Sequence, residues 1–192
     1  MEQHVTEEEQ WIGAARQGDT TAFGRLVEAY QNPVYNLAYR MLGNGPEAED
    51  AAQEAFIRAY RYLDSYDPSR PFSTWLFSIA SHYCIDQLRR RRIDWLPLKE
   101  ELAEPVRLAS ASPNPEAVVT ARDREAWVQN LMGTLSPTDR AAMTLHYWYD
   151  CPYDEIADVL DLTVSAVKSR LYRARRALAE QMEGEAYALQ TS

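Results

Sequence analysis

At 192 residues, 46% of them hydrophobic, the chain has material for one ordinary domain or two small ones. A formal net charge of −9 excludes a purely electrostatic, sequence-indifferent DNA binder. No apolar run approaches the ~20 residues that cross a bilayer, and the acidic opening MEQHVTEEEQ is not a signal peptide, so a cytoplasmic protein without membrane insertion is expected.

Nearly every periodic segment repeats at 3.6 and not at 2, which predicts an all-α fold. Residues 1–9 read as an acidic tail and 10–92 as a first helical domain. Within it, Gly43-Asn44-Gly45-Pro46 ends one helix and starts the next, with Pro46 near the first helical position. Along Glu49–Leu63, Ala52, Phe56, Ala59, Tyr60 and Leu63 form the predicted core stripe. Asp50, Gln53, Glu54, Ile57 and Arg61 form a second, outward stripe. An exposed Ile among polar residues fits a partner surface, although single surface apolar residues are ordinary.

Asp67-Pro68-Ser69-Arg70-Pro71 is a loop, followed by an apolar helix that ends in Arg89–Arg92. Tyr66, Phe72, Trp75, Phe77 and Tyr83 set aromatics beside positive charge, a combination that can stack unpaired bases while tracking phosphates. Taken alone, the segment reads more readily as core aromatics with arginines suited to a helix C-terminus. Cys84 and Cys151 belong to no Cys-x-x-Cys pair and read as reduced core thiols; His4, His82 and His146 lack metal-ligand spacing.

From Ile93 to Thr120 the periodicity weakens, interrupted by Pro97, Pro105, Pro113 and Pro115, so 93–120 reads as a flexible interdomain linker. Residues 121–183 form the second domain and 184–192 a tail. Ser136 caps a helix that has Pro137 at its first position and Asp139 completing a capping box. Pro152 begins a short helix with Ile156, Val159 and Leu160 as its apolar face. Asp161-Leu162 makes a turn, and Thr163 caps the next helix. Val164, Val167, Leu171, Ala174 and Leu178 are that helix's predicted buried stripe. Its other face, from Ser165 to Arg176, carries no acid. Short helix, tight turn and basic helix make a helix-turn-helix, whose second helix enters the major groove. Ser165, Ala166, Lys168, Ser169 and Arg170 fall at the base-proximal end. Arg173, Arg175 and Arg176 fall on the backbone side, and Thr163 and Tyr172 flank them.

The blocks Asp50–Phe56, Thr74–Ala80, Ile85–Arg90, Leu135–Pro137, Tyr153–Ala157 and Val167–Leu171, in this order on either side of a linker, resemble an extracytoplasmic-function (ECF) sigma factor of the sigma-70 family. The resemblance covers residues 10 to 180. It implies two helical domains and no catalysis. Asp50, Gln53, Glu54 and Ile57 would dock on the clamp of the largest subunit of core RNA polymerase, with a further contact to the flap. Tyr66, Arg70, Phe72, Ser73, Trp75, His82, Arg89 and Arg90 would melt and read the −10 promoter element, and the second helix of the helix-turn-helix would read the −35 element. The linker would thread through polymerase, and an anti-sigma factor is the implied regulator. Departures from the commonest pattern are His82 for Asn, Ser165-Ala166 for Gly-Thr, and Asp161 at a turn position often held by Gly. The first two leave the promoter sequence open.

A linker of about 28 residues spans up to ~90 Å when extended, and promoter elements about 25 base pairs apart lie ~85 Å apart. A dimeric helix-turn-helix regulator would account only for the second half. A decoy that titrates an anti-sigma factor could dispense with the DNA-reading arginines that this chain keeps. An enzyme is not expected: the sequence has no Gly-rich phosphate loop, convincing nucleophile–base pair or metal cluster, so no cofactor, metal or small-molecule substrate is implied.

Overall fold

The computed structural model describes residues 6–94 and 121–190, with side chains for 6–91 and 123–183. Helix α1 (Glu7–Arg16) starts in a capping box: the Thr6 hydroxyl accepts from the Glu9 amide at 3.2 Å, and the Glu9 carboxylate accepts from the Thr6 amide at 2.7 Å. The acids read as a tail are therefore, from Glu7 on, the first turn of a helix, where negative charge opposes the helix dipole.

Helix α2 (Thr20–Leu42) is capped by Asp19, whose carboxylate accepts from the amides of Thr21 and Ala22. It stops at Gly43, whose φ of 71° suits a residue without Cβ. Asn44 caps α3 (Gly45–Arg61). A 3-10 turn (Leu63–Ser65) and a loop lead to α4 (Phe72–Asp94).

Leu26, Val34, Leu37 and Met41 of α2 meet Leu76, Ala80 and Cys84 of α4, all essentially sealed from solvent. Helix α3 completes the core with Ala48, Ala51, Ala52, Ala55 and Ala59. These small side chains let its backbone lie close to its neighbours. Of the predicted α3 stripe, Ala52, Ala59 and Leu63 are buried and Phe56 half-buried, but Tyr60 is 44% exposed. The alanine row turns the helix so that Tyr60 faces out.

The second half comprises α5 (Ala121–Gly133), α6 (Pro137–Trp148), α7 (Tyr153–Val159) and α8 (Val164–Gln190). Its core is Leu145, Ile156, Val159, Val167, Leu171 and Ala174. Val164, predicted buried, is 40% exposed because it sits at the first position of α8, beyond the packed faces of α6 and α7. The backbone of α8 stays helical through Gln190, past the end of the apolar period near Met182. From Trp95 to Thr120 the expected linker lies outside the described residues.

The two halves pack against each other. The Tyr149 ring meets Phe77 edge-on at 4.9 Å, and its hydroxyl donates to the Pro33 carbonyl at 2.5 Å. Arg40 lies over Trp148 at 4.5 Å. The end of α2 is the centre of the contact. A helix leaves its last carbonyls without internal partners; here side chains from elsewhere reach those of Met41 and Leu42 and add a second bond to that of Tyr39, which the Gly43 amide already holds. Arg140 donates to Met41 at 2.6 Å, Gln129 to Tyr39 at 3.5 Å, and Arg91 to Leu42 at 3.4 Å. The guanidinium of Arg140, 7% exposed, thus sits on the negative end of a helix dipole contributed by the other half. Burial, with Arg91 nearby, lowers its pKa to about 10, so it stays charged at neutral pH.

Candidate nucleic-acid interface

Helix α7, the turn and α8 build a reader as the sequence predicts. Asp161 takes the left-handed conformation, φ 52°, and the Leu162 amide donates back to the Ala157 carbonyl at 2.9 Å. The Thr163 hydroxyl then accepts from the Ala166 amide at 3.2 Å and starts α8. Burial of Val167, Leu171 and Ala174 fixes the rotation of α8 and sends Ser165, Lys168, Ser169, Tyr172, Arg173, Arg175 and Arg176 outward, with Thr163 exposed at the cap and Ala166 half-buried.

Arg170, expected at the base-proximal end, is held by a partner within the fold. Its guanidinium is paired with Asp139 of α6 at 2.8 Å, and both side chains are largely buried. Helix α6 supplies an acid at the point where Arg170 crosses it, so this arginine clamps the reader to its support. Arg176 pairs with Glu180 one turn on, in full solvent, and Arg175 donates to the Leu171 carbonyl. Arg173 stands exposed on the outer face.

On α4 and the preceding loop the structure divides the predicted −10 residues in two. Tyr66 and Phe72 are 6% and 2% exposed. They form one aromatic cluster with Trp75 and Tyr30, with centroid separations of 5.4 to 5.6 Å. Both are therefore core residues rather than stacking platforms, because Tyr30 of α2 covers them. Their work is to shape the loop. The Tyr66 hydroxyl donates to the Arg70 carbonyl at 2.6 Å. Arg16 of α1 donates to the carbonyls of Leu63 and Tyr66 and lies over the Tyr66 ring.

Asp67 accepts from the Ser69 amide and hydroxyl, at 2.9 and 2.8 Å, which holds its carboxyl below the usual carboxylate range. Sequence periodicity gave no sign of Arg16 as an anchor of this loop. Arg70, Arg89 and Arg90 remain exposed, and Ser73, Trp75 and His82 half-exposed. Arg89 is 3.8 Å from Asp86.

Asp50 and Gln53 are exposed on the outer face of α3, and Ile57 is 46% exposed. Glu54, half-buried, pairs with Arg58 at 2.7 Å. Beside them Phe23, Phe56, Ile57 and Tyr60 line a shallow apolar concavity edged by Arg61.

Residues 26–93 match the Sigma-70 region 2 family and residues 125–178 the Sigma-70, region 4 family. Over 177 residues the chain is 38% identical to the ECF RNA polymerase sigma factor SigW of Bacillus subtilis, covering 89% of this chain and 94% of that protein. This chain is an ECF sigma factor of the sigma-70 family.

The ECF RNA polymerase sigma-E factor of Escherichia coli is 33% identical over 90% of this chain and 92% of its own. Among solved structures, CnrH in complex with the cytosolic domain of CnrY superposes with a TM-score of 0.69 at 27% identity, covering 93% of this chain and 99% of that one. The sigma factor RpoE of Bartonella quintana, in complex with the anti-sigma factor NepR, shares the fold at a TM-score of 0.62 and 22% identity. As an ECF sigma factor the chain is non-catalytic and directs promoter-specific transcription initiation, region 2 serving the −10 element and region 4, a helix-turn-helix, the −35 element. Among the described residues no helix is long and apolar enough to cross a membrane.

Proposed function

We propose that this sigma factor reads the −35 element with Ser165, Ala166, Lys168 and Ser169 at base edges and with Thr163, Tyr172, Arg173, Arg175 and Arg176 on the sugar-phosphate backbone. The supporting observation is the rotation of α8. Its three sealed positions face α6 and α7, and every one of these residues except the half-buried Ala166 is turned outward. Arg70, on a loop that Tyr66, Phe72 and Arg16 hold in shape, and Ser73, Trp75, His82, Arg89 and Arg90 of α4 contact the −10 element.

Asp50, Gln53, Glu54 and Ile57 dock on the clamp of core polymerase, and region 4 meets the flap. The apolar concavity at Phe23, Phe56 and Tyr60 extends the clamp surface with a seat for one apolar side chain. The functional domains run over 10–92 and 121–183, joined by the linker at 93–120. The protein acts in the cytoplasm, where polymerase and promoter DNA are. Control by an anti-sigma factor is supported by the likeness to CnrH, solved with the cytosolic domain of CnrY.

Run-off transcription with sigma-free core polymerase and a library of promoter-bearing genomic fragments tests this reading. Discrete transcripts that depend on the chain, with a shared motif upstream of their start sites, are expected. No transcripts from a chain that binds core would contradict it.

A further inference from the structure

Helix α1 ends ahead of residue 26, where the match to region 2 begins, yet it grips the loop 66–71 from both ends. At the entry, the Arg16 guanidinium donates to the Leu63 carbonyl at 3.2 Å, to that of Asp64 at 3.5 Å and to that of Tyr66. It also lies over the Tyr66 ring, 5.6 Å from the centroid. At the exit, the Tyr30 hydroxyl donates to the Glu8 carboxylate, and the Tyr30 ring meets Phe72, the first residue of α4, edge-on at 5.5 Å. Ile12 and Ala15, buried in the core, hold α1 itself in place.

Between these grips the loop is braced internally. The Arg70 amide donates to the Asp67 carbonyl at 3.1 Å, the Asp67 carboxylate accepts from the Ser69 amide and hydroxyl, and the Tyr66 hydroxyl donates to the Arg70 carbonyl. What is left to fix is the pose of this unit on α4, and Tyr66 carries it. Its ring sits 5.4 Å from that of Trp75, its hydroxyl holds Arg70, and Arg16 holds its carbonyl and its ring. A guanidinium presents its N–H groups in a rigid planar fork, so one side chain fixes several carbonyls relative to one another, whereas an ammonium is a point donor.

We propose that α1 is part of the −10 reader and that Arg16 is its positioning residue, setting base preference at the −10 element through Tyr66 and the pose of Arg70 and Trp75. The proposal rests on the reading of Arg70 and Trp75 as −10 contacts. Recognition depends on supporting side chains that hold the contacting ones to fractions of an ångström, so loosening Arg16 blurs the choice of base. The docking stripe lies on α3 and the −35 reader on α8, which makes core affinity and −35 preference internal standards.

The test uses holoenzyme assembled from core polymerase and the full chain, transcribing two promoter libraries, one randomised in the −10 element and one in the −35 element. Arg16→Ala is expected to lower the enrichment of favoured −10 bases at least fivefold, with −35 ranking unchanged and core affinity within about twofold of wild type. Arg16→Lys, which keeps the charge without the fork, should lose −10 enrichment as well, and it reads the same libraries if Arg16→Ala does not fold. Arg25→Ala removes a different hold on α1, that of Arg25 over the Trp11 ring at 5.9 Å, and should keep wild-type preference. Wild-type −10 enrichment in the Arg16 variants, an equal loss in Arg25→Ala, or a joint fall of −10 and −35 enrichment overturns the proposal.

Arg70→Ala and Trp75→Phe in the −10 library separate the two possible failures. If they alter −10 preference while the Arg16 variants do not, the positioning role alone is wrong. If they too leave it unchanged, the −10 assignment on which that role rests is wrong as well.

Discussion

Arg170 of α8 and Asp139 of α6 form the ion pair that joins the DNA-reading helix to its support, at 2.8 Å and mostly out of solvent. A charge-assisted hydrogen bond in that setting contributes about 1.5–3 kcal/mol. Arg170→Ala is expected to lower stability toward urea by an amount in that range while leaving the order of preference among −35 sequences unchanged in transcription. A changed preference at one −35 position, with stability intact, would return Arg170 to the set of base contacts.

Arg173 and Lys168 should separate by readout. Removing a phosphate contact weakens binding to all sequences alike and lowers the salt dependence by about one unit of slope. Arg173→Ala is expected to behave so in holoenzyme binding measured across a salt series. Lys168→Ala is expected to shift preference within the −35 element, read by transcription from a library randomised there. Matching shifts in both variants would contradict the assignment.

The docking stripe gives a third expectation. Gln53→Ala with Ile57→Ala should reduce affinity for core polymerase by tenfold or more while the circular dichroism of the helices is unchanged, because both side chains project from α3 away from its alanine core. A loss of helicity would mean that the stripe supports the fold instead.

Alkaline pH should destabilise the protein. Burial pushes the Cys84 and Cys151 thiols up from 9.0 to about 12, and burial likewise raises the Tyr30 and Tyr149 phenols above their ordinary value of 10.0. Each group keeps its proton longer in the folded chain than in the unfolded one. Their stabilising contribution is therefore complete below pH 9 and is lost as pH rises from about 9 toward 12. Urea midpoints at pH 7.5, 9.5 and 10.5 should fall in that order. At pH 8 iodoacetamide should modify both thiols slowly in the native chain and quickly after unfolding; fast native labelling would show that one of them is open to solvent.

Local chemistry was legible in the sequence. The cap at Thr163, the left-handed turn at Asp161 and the helix start at Ser136 each depend on neighbours within a few residues, and each is present. So is the rotation of α8, apart from its first residue. Contacts between distant residues were not legible. Tyr66 and Phe72 read from their own segment as core more readily than as stacking aromatics, but Tyr30, which packs on Phe72, comes from another helix and was not visible there. Arg170 looked free because its acid is 31 positions earlier. Tyr60 was placed inward because a wide apolar stripe and a narrow alanine row imply different rotations of the same helix. The direct packing of the two halves depends on side chains such as Arg140 and Tyr149, which bond backbone carbonyls of the other half, and such contacts leave no trace in composition or period.

The finish of α2 by Arg140 and Gln129 couples fraying of that helix to the contact between the two halves. Without these side chains the Met41 carbonyl would turn to water and that of Tyr39 would keep only the Gly43 amide, while Leu42 keeps its donor from within the first half. The amide of Gly43, bonded to the Tyr39 carbonyl at 2.8 Å, belongs to the turn that loosens. Its rate of hydrogen exchange thus becomes a gauge of a contact made by a residue 99 positions from Met41, and a single backbone proton can report on the contact between the halves without a label on either.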